Sequence, residues 1–227
     1  MINAAREETG LSIFLNADHF HSFEKAKEAL DAGYDSVLID LSKELYEKNL
    51  EITKSVVEYA REINPEISVE GELGYLVTDS SKIYKEKIEI PPESLTKPEE
   101  ALKFVNETGV DRFAPAVGNL HGIAANEPKL DFELIKKIRA VLPSEVAMVL
   151  HGGSGIPDDQ MREAVKLGFN NVHISTEIRV VYVDALRKML AVAPDETTPY
   201  KIYKPVVEAV SAKTAEKLEL FGCVNKI

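Results

Sequence analysis

The sequence predicts an α/β protein of the (β/α)8 TIM-barrel type, incomplete, with about six parallel strands. Three observations carry this. Short apolar runs alternate with longer amphipathic stretches, so each helix reads as the crossover between neighbouring parallel strands. No Gly-x-Gly-x-x-Gly follows the first strand, which disfavours a doubly wound dinucleotide-binding sheet. Six candidate strands can be counted, where a complete barrel of this type has about eight.

The expected strands are Ser12–Ala17, Ser36–Ile39, Ile67–Glu70, Arg112–Val117, Ala147–Leu150 and Asn171–Ile174. Ser22–Ala32 opens on a good N-cap and stops at Gly33, which predicts the first helix. In Lys43–Ile63 the apolar residues Leu45, Ile52, Val56, Tyr59 and Ile63 recur at helical spacing. Pro98 opens Lys97–Thr108 as a first-turn proline and Gly109 closes it. Asp131–Leu142, Asp158–Leu167 and Thr176–Ala191 repeat the plan, and a last helix over Pro205–Phe221 has no strand after it. Tyr75–Thr96 is polar, contains Pro91-Pro92 and reads as one long loop, a length usually reserved for function. No linker marks a second domain, so residues 1–227 read as a single domain.

Composition narrows the partners. Hydrophobic residues make up 44% of the 227, enough for a substantial core, and the net charge is −11 with both signs interspersed. No basic stripe is available to neutralise a nucleic-acid backbone, which argues against nucleic acid as a partner. No apolar run approaches the ~20 residues of a membrane helix, and Arg6, Glu7 and Glu8 interrupt any signal-like start. The single cysteine, Cys223, excludes an internal disulfide and a cysteine-based metal site. A cytoplasmic setting and no membrane partner are expected.

The conspicuous polar residues fall at one place, the C-terminal ends of the expected strands. Asp18-His19 ends the first, Asp40 the second, and Glu70 and Glu72 the third. His121 follows the fourth, His151 ends the fifth and His173 sits in the sixth. In a parallel barrel these ends converge on the face where chemistry occurs. Three imidazoles arriving from separate strands suit a Zn²⁺ site with an open position, and nearby carboxylates can accept protons or orient ligands. Glycines after His121 and His151 leave backbone N–H groups for an anion.

Each residue also has a plainer reading. A lone strand-end histidine is commonly a hydrogen-bonded core residue, Asp40 could cap the next helix, and Glu72 could be a solvated loop charge. Gly152-Gly153-Ser154-Gly155 alone is a weak signal. Coincidence decides between the readings: of only five histidines, four fall at or beside strand ends. That pattern points to a metal or phosphate site.

At these residues the chain resembles the class II, zinc-dependent fructose/tagatose-bisphosphate aldolases. The matching segments are Asn16-Ala17-Asp18-His19, Ser36-Val37-Leu38-Ile39-Asp40, Val69-Glu70-Gly71-Glu72-Leu73-Gly74, Val117-Gly118-Asn119-Leu120-His121-Gly122 and Leu150-His151-Gly152-Gly153-Ser154-Gly155. The resemblance implies that His19, His121 and His151 bind Zn²⁺ and that Asp18 donates and accepts the proton. Asp40 and Glu70 match positions linked in the family to a second or alternative cation. Gly122, Gly152, Gly153, Ser154, Ser175 and Thr176 match the grip on the dihydroxyacetone phosphate half of a phosphorylated ketose. The implied reaction is aldol cleavage of a ketose 1,6-bisphosphate to dihydroxyacetone phosphate and an aldehyde, with Zn²⁺ stabilising the enediolate.

Departures are equally specific. Phe20-His21 stands where the family usually has glycine, and His173 where an asparagine contacts the enediolate. Thr78-Asp79-Ser80-Ser81 replaces a loop that often carries a Gly-Gly hinge and an acidic pair. The family has two further βα units before the segment starting at Leu11, and Met1–Thr9 is too short to supply them. Either the chain is an N-terminally shortened relative with an incomplete barrel, or its start has been assigned too late. The chain's first and sixth strands should present unpaired edges across a gap, favouring a homo-oligomer. Two alternatives stand beside the aldolase: a non-catalytic homologue binding metal or sugar phosphate, and a different metal-dependent lyase suggested by His173.

Overall fold

The computed structural model describes residues 1–126 and 128–224. Six parallel strands form one open sheet in sequence order: β1 (Asn16–Phe20), β2 (Ser36–Ile39), β3 (Ser68–Leu73), β4 (Arg112–Pro115), β5 (Ala147–Leu150) and β6 (Phe169–Val172). Among the described residues, eight α-helices accompany them: α1 (Ile2–Thr9), α2 (Phe23–Asp31), α3 (Tyr46–Ile63), α4 (Pro98–Thr108), α5 (Phe132–Val141), α6 (Asp158–Lys166), α7 (Thr176–Val192) and α8 (Pro199–Leu220). This is the expected incomplete (β/α) barrel, with β1 and β6 as its two edges. No helix among the described residues is long and apolar enough to cross a membrane.

Local chemistry accounts for the helix limits. Ser22 accepts a hydrogen bond from the Lys25 N–H at the start of α2, and Asp131 accepts one from Leu134 at the start of α5. Pro98 occupies the first turn of α4, and Gly109 ends it in the left-handed conformation at φ 72°.

β3 shows how the layers are divided. Alternation points Glu70 and Glu72 to the inner face and Val69, Gly71 and Leu73 toward the helices. Phe104 of α4 and Phe113 of β4 are both fully buried and pack against each other in that outer layer. Gly71 is required there, since a Cβ on it would lie 2.7 Å from the Phe104 ring and 3.3 Å from Thr53.

Several boundaries differ from the sequence reading, each for a physical reason. β1 begins at Asn16 rather than Ser12, because the Ile13 carbonyl is taken by Arg6 and the Leu15 N–H by the Asp35 side chain, and Phe14 is largely exposed. It continues through Asp18-His19 by way of a bulge: the four residues Ala17 to Phe20 of β1 stand opposite the three residues Val37 to Ile39 of β2. β3 extends to Leu73, and β4 and β6 stop two residues early, leaving His173 just beyond β6. Met1–Thr9, assigned no element from sequence, contains α1, which Arg6 ties to Asp35 by an ion pair.

α8 starts at Pro199, not Pro205. Two prolines compete for the first-turn role, and Pro199 takes it. Pro205 is carried inside the helix, where it lacks the N–H that would bond the preceding turn. The helix survives because α8 packs along α7.

The inner side of the sheet carries a hollow of about 760 Å³ lined by Phe14, Asn16, Ser36, Arg112, Asn171 and His173, among others. Its floor is polar. Asn16 Oδ1 accepts from Ser36 Oγ at 2.7 Å and from the Arg112 guanidinium at 2.8 Å.

The Phe104 contact makes Gly71 testable. Gly71→Ala should lower unfolding free energy by about 1–3 kcal/mol through overpacking. An unchanged urea midpoint would show that the ring has room to move.

Candidate metal centre and active site

The bulge in β1 builds the first part of the site. His19 adopts φ 53°, a left-handed conformation that costs a non-glycine residue of order 1–3 kcal/mol. Asp18 and His19 thereby both reach the rim. His19 Nδ1 lies 2.8 Å from Asp40 Oδ2, and its Nε2 is 3.9 Å from Asp18 Oδ2. Asp40 is itself held by the backbone N–H and hydroxyl of Ser42.

His121 and His151 come from the turns after β4 and β5, and these turns are locked together. Asn119 Nδ2 donates to the His151 carbonyl at 2.8 Å, while Asn119 Oδ1 accepts from the Val117 N–H. Gly152 sits against the Leu120 carbonyl so closely that a Cβ would come within 2.0 Å of that oxygen. Only glycine, at φ 62°, allows the two histidine-bearing turns to approach.

The three imidazoles converge as expected. Ring centroids are 5.0 Å apart for His19 and His121, 4.8 Å for His19 and His151, and 6.0 Å for His121 and His151. One ligand atom from each lies within 4.8 Å of the others. His151 Nε2 is 2.7 Å from Glu70 Oε1, which leaves Nδ1 as its free nitrogen. Glu70 is fully buried, and its other oxygen faces Arg112 Nε at 3.5 Å.

Charge in this site is unevenly balanced. Burial, reinforced by His19 and His151, pushes His121 down to about 4, so its ring is neutral and free to act as a ligand. Burial likewise pushes His173 down to about 4. Burial works against protonation of His19, but the Asp40 hydrogen bond and the Asp18 charge outweigh it and raise its pKa. Asp40 and Glu70 are lowered despite burial by their histidine partners. Glu72 is raised well above the carboxylate range by burial and by the charges of Asp40, Glu70 and Asp18.

Glu72 Oε2 is also buried without a hydrogen-bond partner, 4.0 Å from His19 Nδ1. A buried carboxylate oxygen with nothing to bond beside converging imidazoles fits a site shaped for a cation. The donor set, three nitrogens ringed by carboxylates, fits Zn²⁺.

Two small cavities flank the histidines. One, about 90 Å³, is lined by Asp18, His19, His121, Gly122, His151, Gly152, Ser154, His173, Ser175 and Thr176, and also by Ser80 and Arg179. The other, about 240 Å³, is lined by Asp40 and Glu72 together with His21, Lys43 and Thr78. They share His19, Ser80 and His121, so they are two lobes of one cleft.

These distances invite comparison with known proteins. A profile described as fructose-bisphosphate aldolase class-II matches residues 1–226. The chain belongs to that family. It is 36% identical to a fructose-bisphosphate aldolase of Geobacillus stearothermophilus over 228 residues, covering 100% of this chain and 76% of that one. A Staphylococcus epidermidis fructose-bisphosphate aldolase is 36% identical over 216 residues, 95% of this chain and 72% of that protein. The YdjI aldolase of Escherichia coli K12 superposes with a TM-score of 0.80 at 30% identity, over 98% of this chain and 74% of its own.

Within this family frame, some expected residues are occupied otherwise than their motifs suggest. Gly153 lines neither lobe, and its N–H donates to the His173 carbonyl at 3.0 Å. The Gly155 N–H is taken by Glu177 Oε1 at 2.9 Å, and Ser154 Oγ accepts from the Glu177 N–H. The glycine turn therefore has fewer free donors for an anion than its composition implies. Glu70, bonded to His151 through Oε1 and with Oε2 facing Arg112 at 3.5 Å without a hydrogen bond, stands behind His151, and Glu72 is the carboxylate that joins His19 and Asp40 as a third donor.

Other residues escaped the sequence reading. Arg179 lies one helical turn after Ser175, a spacing that could have found it. Glu72 stands among the strand-end carboxylates without a site role in the sequence reading; it follows Glu70 by two residues on a strand, so the period of two already put them on one face. Lys217 of α8, buried and 2.8 Å from Glu177 Oε2, braces the glycine turn through that carboxylate; no local pattern announces it.

Glu70 orients His151 from behind, as outer partners of metal-binding histidines do. Glu70→Gln should weaken Zn²⁺ binding about 10–100-fold in a chelator competition. Unaltered affinity would deny Glu70 that role.

Proposed function

We propose that this chain is a metal-dependent ketose-bisphosphate aldolase. It would cleave a ketose 1,6-bisphosphate, such as fructose or tagatose bisphosphate, to dihydroxyacetone phosphate and an aldehyde. The observation that carries the reading is the convergence of His19, His121 and His151 beside the Asp18 carboxylate. The names of the Geobacillus and Staphylococcus relatives support the substrate class.

His19, His121 and His151 are the residues that would hold Zn²⁺, with Asp40 and Glu72 as donors for a second cation position. When bound, the ion supplies Lewis-acid stabilisation of the negative charge left on the ketone half. Asp18, 48% exposed at its side chain, is open to substrate and stands at the cleft between His19 and His173. Its carboxylate takes the proton from the hydroxyl on the aldehyde half as the carbon–carbon bond breaks, and the bonding pair passes to the ketone half as an enediolate. Returning a proton to that carbon releases dihydroxyacetone phosphate. Arg179, with Gly122 and with Ser175 and Thr176 at the α7 N-terminus, would hold the phosphate of that half. The neighbouring lobe, with His21 and Lys43, would take the aldehyde half.

A homo-oligomer is part of the same proposal. Tyr182, Val183, Leu190, Val192, Tyr203 and Val207 of α7 and α8 are exposed, and among the described residues the outer edges of β1 and β6 have no strand partner.

Asp18→Ala should keep Zn²⁺ yet lose cleavage by on the order of 10²–10⁴. His151→Ala should lose stoichiometric Zn²⁺, and chelation should abolish activity in the unaltered chain. Borohydride with substrate should trap no adduct; a covalent one would point to a lysine imine instead.

A further inference from the structure

Among the described residues Lys217 is the one buried lysine, and the aldol chemistry above gives it no part. A lysine is buried this far only where it is paired. Near the end of α8, it meets the N-termini of two other helices. Its Nζ lies 2.8 Å from Oε2 of Glu177, in the first turn of α7, and 4.0 Å from Oδ1 of Asp158, which opens α6. Lys213, one turn earlier on α8, is bonded instead to Glu216.

Glu177 creates a conflict at the start of α7. A carboxylate in the first turn is favoured there by the helix dipole, for the same reason that a phosphate is. The two anions nevertheless repel each other, and in a partly buried cleft solvent screens them weakly. Ser175, Thr176 and Arg179 line the small lobe, whereas Glu177, between them in sequence, does not. Both of its carboxylate oxygens are committed elsewhere: Oε1 accepts from the Gly155 N–H at 2.9 Å, and Oε2 faces Lys217. The Glu177 N–H donates to Ser154 Oγ, so the same residue fixes the glycine turn twice.

We infer that Lys217 is a positioning residue for the substrate: it cancels the Glu177 charge and holds that carboxylate on the glycine turn, leaving the α7 N-terminus able to accept a phosphate. This rests on the phosphate grip proposed above. Lys217 lines neither lobe of the cleft and touches no reacting atom. Its effect on affinity passes through Glu177.

Titration calorimetry of the Zn²⁺-loaded chain with dihydroxyacetone phosphate and with dihydroxyacetone separates the phosphate from the rest of the ligand. The unaltered chain should prefer the phosphorylated ligand. Lys217→Met should weaken dihydroxyacetone phosphate on the order of 10-fold, with dihydroxyacetone affinity and Zn²⁺ content unchanged, and Lys217→Arg should restore it. Glu177→Gln keeps an oxygen for the Gly155 N–H and leaves the Lys217 charge in surplus. It should bind dihydroxyacetone phosphate more tightly than the unaltered chain, a result that does not depend on Lys217→Met folding. Combining Glu177→Gln with Lys217→Met should return affinity to within about 3-fold of the unaltered chain. Equal losses for both ligands in Lys217→Met would reduce Lys217 to structural support and overturn the inference, as would weaker phosphate binding in Glu177→Gln. Equal affinity of the unaltered chain for the two ligands overturns the phosphate grip itself, and the inference with it.

Discussion

A fully buried carboxylate without partners costs several kcal/mol, and Glu70 is the point where this chain meets that constraint. One of its oxygens is met by His151 from the end of β5, the other by Arg112 in β4. Arg112 in turn reaches Asn16 of β1, which is bonded to Ser36 of β2. A single buried charge therefore ties the interior polar residues of five strands into one network. Breaking one side of such a pair typically costs about 3–5 kcal/mol, because the survivor is left charged in a dry interior. The same contact decides which nitrogen of His151 faces the cleft. Stability of the sheet and direction of a candidate ligand thus depend on one interaction.

Above that layer, the turns are positioned by one another rather than by the strands alone. The Leu120 carbonyl rests on Gly152, Asn119 bridges to the His151 carbonyl, and Thr78 of the long loop donates to the His121 carbonyl. The loop is pinned a second time where the Ser81 N–H donates to Thr176 at the start of α7. Farther out, Lys217 of α8 meets Glu177, whose carboxylate holds the glycine turn. A helix with no strand after it among the described residues is thereby coupled to the glycine turn beside the cleft.

The open side of the sheet explains a contrast in burial. α3 and α4 bury residues on the sheet and on each other, whereas α7 buries only Thr176 and packs mainly on α8. The 760 Å³ hollow opens on the inner side of the sheet and reaches residues of both edge strands, Asn16 of β1 and Asn171 of β6. His173 lines both that hollow and the small lobe of the cleft. The edge of the sheet and the site are therefore adjacent, and what covers the edge also bears on the environment of His173.

By itself the sequence determined the order of strands and helices and the set of histidines that meet. Those signals are local: alternation between short apolar runs and helical periods, caps at Ser22 and Asp131, and polar residues at the ends of apolar runs. Parallel topology then brings His19, His121 and His151 to one rim whatever the details. Tertiary structure alone decided how each side chain is used. The β1 bulge, which depends on pairing with β2, moved the strand limits and aimed both Asp18 and His19 at the cleft. Burial of Glu72, which a loop reading would have left in water, comes from strand β3 continuing to Leu73. The N–H groups of Gly153 and Gly155 were spoken for by His173 and Glu177, residues some twenty positions away. Hydrogen-bond partners at that distance in sequence leave no periodic trace, so only the folded chain reveals which donors and acceptors remain free.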